Sequence, residues 1–202
     1  MPVPVGPGST ADPEEVRRIS PLLLLGDGAC GLAQDLLGRL LLKGERAIVL
    51  DGANAFDAYA LARLARQAGR PAREVLSAVR VSRSFTWQQW LMLLEREARP
   101  AAARSGARWV AALGPLDLFA DNEVRPFQAW PGARRAVAAL KALAGAGLGV
   151  IAAQEERALR AGGRAGLLDF LKRECSCIMV AERRDERPAR AAPAARQLGF
   201  AF

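Results

Sequence analysis

Histidine is absent from this 202-residue chain. Its absence removes the Ser-His-Asp and Cys-His catalytic arrangements, imidazole metal ligands and the commonest base near neutral pH. Cysteine is nearly as scarce, with three residues. Three cannot complete a four-Cys zinc site, and without His the mixed sites are closed as well. A sparse, odd set argues against a disulfide framework and for a reducing compartment. Long hydrophobic runs are also missing. Residues 21–25 and 47–50 are strand-length, far short of the roughly 20 residues of a membrane helix. The first fifteen residues lack the basic and apolar regions of a signal peptide. The expectation is a cytoplasmic protein with no membrane contact.

What is present is apolar and basic. About half of the chain, 51%, is hydrophobic, enough for one domain with a full core. Twenty-nine basic residues face 21 acidic ones, a net charge of +8, and all but three of the basic residues are Arg. That balance points to a polyanion such as nucleic acid. The same Arg and Ala enrichment also follows from GC-rich coding.

Residues 1–12 read as a disordered tail and 13–202 as a single domain. Asp12, Pro13 and two acids mark a helix start. An apolar strand over 21–25 runs into a Gly-rich turn. A helix over 31–43 carries Leu32, Leu36, Leu37, Leu40 and Leu41 on one stripe. A second strand ends at Asp51. Helices are expected over 57–68, from 71, over 87–99 and over 133–146. Strands are expected at 79–81, 109–113, 149–153, 177–182 and 197–202. Residues 100–105 read as a linker, 114–131 as irregular, and 162–166 as a mobile basic loop. Strands apolar on both faces, alternating with helices, predict an α/β fold with a largely parallel sheet flanked by helices.

Gly26-Asp27-Gly28-Ala29-Cys30-Gly31 lies between a strand and a helix, where backbone N–H groups converge on phosphate. Three readings fit it. As G-x-G-x-x-G it is a dinucleotide fingerprint, with Asp51, twenty residues after Gly31, as the ribose acid. As G-x-x-x-x-G it is a P-loop, but Leu32 stands in the place of Lys and Ala33 in that of Ser/Thr. As a plain turn it binds nothing.

The segments that follow bear on this choice. Residues 48–57 (IVLDGANAFD) resemble the second core strand of RecA/RadA-type recombinases. Gly69, Val75, Leu76, Val79, Val81, Arg83 and Phe85 match the family's next segment in order and spacing. Residues 108–114 lie where the Walker B strand belongs, and 149–154 resemble the strand that ends in the family's sensor Gln, here Gln154. The resemblance runs from about Pro21 to Gln154. It implies a RecA-like P-loop core whose ATP chemistry is lost. The P-loop Lys falls at Leu32, the Mg²⁺-binding hydroxyl at Ala33, the catalytic acid at Ala53 and the Walker B Asp at Leu113 or Gly114. Phosphate charge, metal ligand, base and second acid are gone together. No catalytic residue, cofactor or metal is expected.

The resemblance implies a non-catalytic accessory in DNA repair or recombination. Its expected partners are DNA, bound without sequence preference, and an active recombinase or a second copy of itself. Residues 63–108 hold ten Arg against three Glu, a basic face for phosphates or a set of solvated helix faces. Arg157, Arg160 and Arg164 follow Gln154 in the place of one DNA loop of the family. Arg125, Phe127 and Trp130 lie in the place of the other. With Arg83 these arginines are the candidate DNA contacts. Gly26, Gly28, Gly31 and Asp51 are the candidate cofactor turn. Cys175 and Cys177 read as packing residues. Two alternatives remain open at this point: a small dinucleotide-binding protein, and an interaction scaffold without DNA binding.

Overall fold

The computed structural model describes residues 13–180, apart from 162 and 176. The expected tail, the end of the 177–182 strand and the 197–202 strand lie outside the described residues. The elements in order are α1 (Pro13–Arg18), β1 (Leu22–Leu25), α2 (Ala29–Leu42), β2 (Ala47–Asp51), α3 (Ala58–Gln67), α4 (Ala72–Ser77) and β3 (Val79–Arg83). There follow α5 (Trp87–Met92), a π-helical turn (Leu93–Glu97), α6 (Ala98–Ser105), β4 (Trp109–Leu113), a 3₁₀ turn (Asp117–Phe119) and α7 (Pro126–Gly145). β5 (Gly149–Gln154), α8 (Glu156–Ala161), α9 (Ala165–Glu174) and β6 (Cys177–Val180) complete the series.

The six strands form one parallel sheet in the order β3-β2-β4-β5-β1-β6. β1, β2, β4 and β5 are buried along their whole length. This is why their sequences are apolar at every position rather than at every second one. Alternate residues feed two cores. Leu22, Leu24, Val49, Ala111 and Ile151 face α1 to α4. Leu23, Leu25, Leu50, Val110 and Val150 face α5 to α9. The α/β class and parallel sheet expected from the sequence are observed.

The order bears on the glycine turn. A Rossmann sheet sets β1 beside β2. Here β4 and β5 stand between them, so the turn after β1 and the acid after β2 lie at separate places along the sheet edge.

Three local expectations are corrected. Residues 100–105 are helix, not linker. Pro100 has no N–H and its ring crowds the carbonyl four residues back, but the ladder is already widened by the π turn just before it. Helix α7 starts at Pro126 rather than 133 and carries Pro131 in its second turn. Pro126 suits a first helical position, and Gln128 Oε1 accepts the Arg125 N–H at 3.3 Å. The loop after Gln154 is mostly helical: α8 covers 156–161 and α9 begins at Ala165.

Trp90 ties the α5 layer to the β4–α7 connection. It is fully buried, and its indole N–H donates to the Pro115 carbonyl at 3.0 Å. Trp90→Phe keeps most of the ring and orphans that buried carbonyl. It is expected to lower stability by about 1–3 kcal/mol, read by urea unfolding.

Candidate functional site

The carboxyl ends of β1, β2, β4 and β5 meet at one edge of the sheet, where ligands bind in open α/β folds. The glycine turn after β1 forms half of this edge. Gly26 and Gly28 have φ values of 111° and 92°, in the left-handed region. Gly28 caps α2; the Ala29 N–H turns back to the Gly26 carbonyl at 3.1 Å, which leaves the N–H groups of Gly28 and Cys30 for another acceptor.

Those groups are already bound. Glu155, the residue after β5, places its carboxylate on them. Oε2 accepts the Gly28 N–H at 2.9 Å and Oε1 accepts the Cys30 N–H at 3.1 Å. A carboxylate there satisfies orphan donors and meets the positive end of the helix. It therefore occupies the position where such a turn holds a phosphate.

The other half of the edge is held by Gln154 and Asp117. Gln154 is fully buried. Its Oε1 accepts the Leu116 N–H at 3.0 Å, and its Nε2 donates to Asp117 Oδ1 and to the Glu155 carbonyl. Gly114, one of the two positions where the resemblance places an acid, is closed. A Cβ on Gly114 would lie 2.5 Å from Asp117 Oδ2 and 2.6 Å from the Ala53 Cβ, so no acid fits at 114. Leu113 is buried in the α1–α4 core. Asp117 comes three residues later, in the 3₁₀ turn. Burial pushes its carboxyl up, and the Glu155 and Asp51 carboxylates add to this, while the hydrogen bond from Gln154 opposes it.

Cys30 sits between these acids, 4% exposed. Burial first, then Glu155, Asp117 and Asp51, push its thiol up to about 12. It stays protonated and is no nucleophile near neutral pH. Cys175 is pushed up to about 11, again chiefly by burial.

Asp51 is fully buried and fully engaged. Oδ1 accepts the Ala55 N–H at 2.9 Å. Oδ2 accepts the Phe56 N–H at 3.1 Å and Arg83 Nε at 3.1 Å. Arg83 also donates to the Phe56 carbonyl at 3.0 Å. Asp51 caps the 52–56 turn, and both of its oxygens are bound within the chain. Arg83 is a structural partner of that turn as well as a surface cation.

The other candidate arginines divide. Arg164 donates to the Val124 carbonyl, which brings it beside Arg125. Phe127, next to them, is 68% exposed. Trp130 instead packs edge-on against Phe170, 6.1 Å between ring centres. Arg157 is exposed on α8. Arg160 pairs with Glu156 at 2.8 Å. Arg83 lies three strands away from this group. The ten arginines of 63–108 spread over α3, α4, β3 and α5 to β4, around the β3 edge of the sheet. Arg63, Arg70 and Arg108 are paired with acids.

Sequence reading missed Glu155 and Asp117. Glu155 follows the sensor-like Gln directly, and an acid beside a phosphate turn that lacks Lys was a legible signal. Asp117 had no signal, because only the 3₁₀ turn returns it to the sheet edge. Among the described residues, no group of three His, Cys, Asp or Glu is placed to hold a metal ion. No helix among them is long and apolar enough to cross a membrane. The chain matches no protein-family model and no curated protein.

Two outcomes test this geometry. Gly31 has a helical backbone and open space where a Cβ would stand. Gly31→Ala is expected to stabilise by about 0.5–1 kcal/mol, since no ligand needs the close approach. Glu155→Ala is expected to cost about 1.5–3 kcal/mol, because it strips charged hydrogen bonds from α2. Chemical denaturation measures both.

A third outcome concerns pH. The unfolded chain loses the Asp117 proton near 3.8 and the folded chain loses it at higher pH. Asp117 therefore costs nothing below pH 3.8, and its cost grows as pH rises through the folded value. Asp117→Asn keeps the acceptor for Gln154 and removes that cost. The variant should match wild type in acid and exceed it in thermal midpoint as pH rises.

Proposed function

We propose that this chain is a non-catalytic RecA/RadA-like accessory of DNA repair or recombination. It binds DNA, and an active recombinase or a second copy of itself, without hydrolysing nucleotide. The observation that carries the reading is the Glu155 carboxylate on the Gly28 and Cys30 N–H groups. A nucleotide γ-phosphate would have to displace a tethered anion and then find no Lys, no metal hydroxyl and no base. Leu32, Ala33, Ala53 and Leu113 supply none of these.

Further support comes from the ordered segments. Those that resemble the recombinases fall on β2, β3, β4 and β5 in sequence, with Gln154 at the end of β5. The strand order and the engaged Asp51 speak against the dinucleotide reading. For DNA, the supporting features are Arg125 with Arg164 beside it, the exposed Phe127 two residues on, and the exposed Arg157 on α8. Arginines there meet phosphates, and an exposed ring offers a base a stacking face.

The test is fluorescence anisotropy with labelled single- and double-stranded oligonucleotides across a salt series. Affinity should fall steeply with salt and be indifferent to sequence and to Mg-ATP. Arg125→Glu with Arg157→Glu should weaken binding and lower the salt slope by roughly one unit per lost contact. ATP hydrolysis above background, or no DNA binding at about 50 mM salt, contradicts the reading.

A further inference from the structure

Helix α3 uses only one of its faces within the fold. Leu61 and Ala65 are buried in the α1–α4 core. Its contact with α2 is close: a Cβ on Gly38 would lie 2.3 Å from Leu64 Cδ2. The opposite face is open. Tyr59, Arg63 and Arg66 stand on it at i, i+4 and i+7, and all three are exposed. Tyr59, the chain's one tyrosine, is 79% exposed.

Asp57 fixes the start of this stripe. Its Oδ1 accepts the Tyr59 N–H at 2.8 Å and the Ala60 N–H at 3.1 Å, and its Oδ2 lies 3.7 Å from Arg63. Helix α4 packs against α3 and extends the surface. Residues 58–78 hold four Arg against one acid, Glu74. Arg70 is spent on Glu74 and on the Leu42 carbonyl. Arg66 and Arg73 have no acid in ion-pair range among the described residues. The dipole of α3 accounts for a cation in its last turn, but not for an open tyrosine in its first.

We propose that the outer face of α3, continued by α4, docks an acidic helix of a partner protein. Tyr59 covers an apolar residue of that helix, and Asp or Glu side chains one turn apart meet Arg63, Arg66 and Arg73. Tyr and Arg are the residue types that dominate binding energy at protein interfaces. The stripe from 59 to 66 is about 10 Å long, so a partner helix of about three turns spans it.

Charge selects the occupant. A second copy of this face would set arginine against arginine. Residues 181–202 hold five Arg against three acids, so they lack the complementary charge as well. A nucleic-acid backbone carries an anion at every step. It would meet Asp57 and Glu74, which bracket the arginines in the sequence and whose side chains are 46% and 54% exposed. A helix can turn an amide or a lysine to those two positions. The proposal is independent of the DNA reading, since α3 and the DNA candidates on α7 to α9 pack on opposite faces of the sheet.

The test is selection of a displayed library of helix-patterned peptides, randomised at the exposed positions, on the full chain. The best synthetic peptide is then titrated into chain labelled with 3-fluorotyrosine, whose single fluorine signal reports Tyr59. The enriched peptides should carry Asp or Glu one turn apart beside an apolar residue, and the fluorine signal should shift saturably. By anisotropy of the labelled peptide, Arg66→Glu with Arg73→Glu should weaken binding by at least about tenfold. The thermal midpoint should stay unchanged, because neither arginine is spent within the fold. Tyr59→Ala should weaken binding as well. Enrichment of basic or uncharged peptides, or of none, overturns the proposal. So does a fluorine signal that stays in place at saturation, or equal binding to the double variant. Displacement of the peptide by an oligonucleotide with the same Arg66 and Arg73 dependence assigns the face to nucleic acid, which also overturns it.

Discussion

A carboxylate resting on the first N–H groups of α2 is the contact on which the functional edge depends. Glu155 reaches from the end of β5 to the turn after β1, so one side chain closes the end of two neighbouring strands. The turn keeps the backbone shape that receives phosphate and fills it from within. An anion on a tether outcompetes a free one, because its translational entropy was lost when the chain folded.

The rest of the edge is consistent with that closure. Gln154 binds the β4–α7 connection through the Leu116 N–H and Asp117. Asp51, Arg83 and Gln34 secure the 52–57 segment: Gln34 Oε1 takes the Asp57 N–H and its Nε2 donates to the Ala55 carbonyl at 3.1 Å. Gln154, Asp51 and Gln34 are each spent on a neighbouring loop. Buried networks of this kind rigidify when fully satisfied. The cost is concentrated at Asp117, a carboxyl held among other carboxyls.

The frame of the fold was legible because fully buried parallel strands leave an unbroken apolar signature, as at 22–25 and 109–113. Asp57 and Thr86 each cap a helix through their side chains, and such starts are local chemistry. What was illegible was set by tertiary context. Pro100 and Pro131 lie inside helices that local rules would break, the first behind a π turn. Residues 165 and 166 read as part of a mobile loop, yet they begin α9, whose Leu167, Leu168 and Leu171 are buried. Asp51 stood out in the sequence as a carboxylate at a strand end, but its partners, the Ala55 and Phe56 N–H groups and Arg83, are set by the fold. Glu155 was missed because only the pairing of β1 with β5 brings it to the turn after β1.

The central claim is that the phosphate turn is occupied by the chain itself. The most direct measurement follows the backbone amide resonances of Gly28 and Cys30 by NMR while Mg-ATP is added to millimolar concentration. The account predicts that both stay in place in the wild-type chain and that both move when Glu155 is replaced by Gln. Saturable shifts of Gly28 and Cys30 in the wild type, with Glu155 intact, would contradict it.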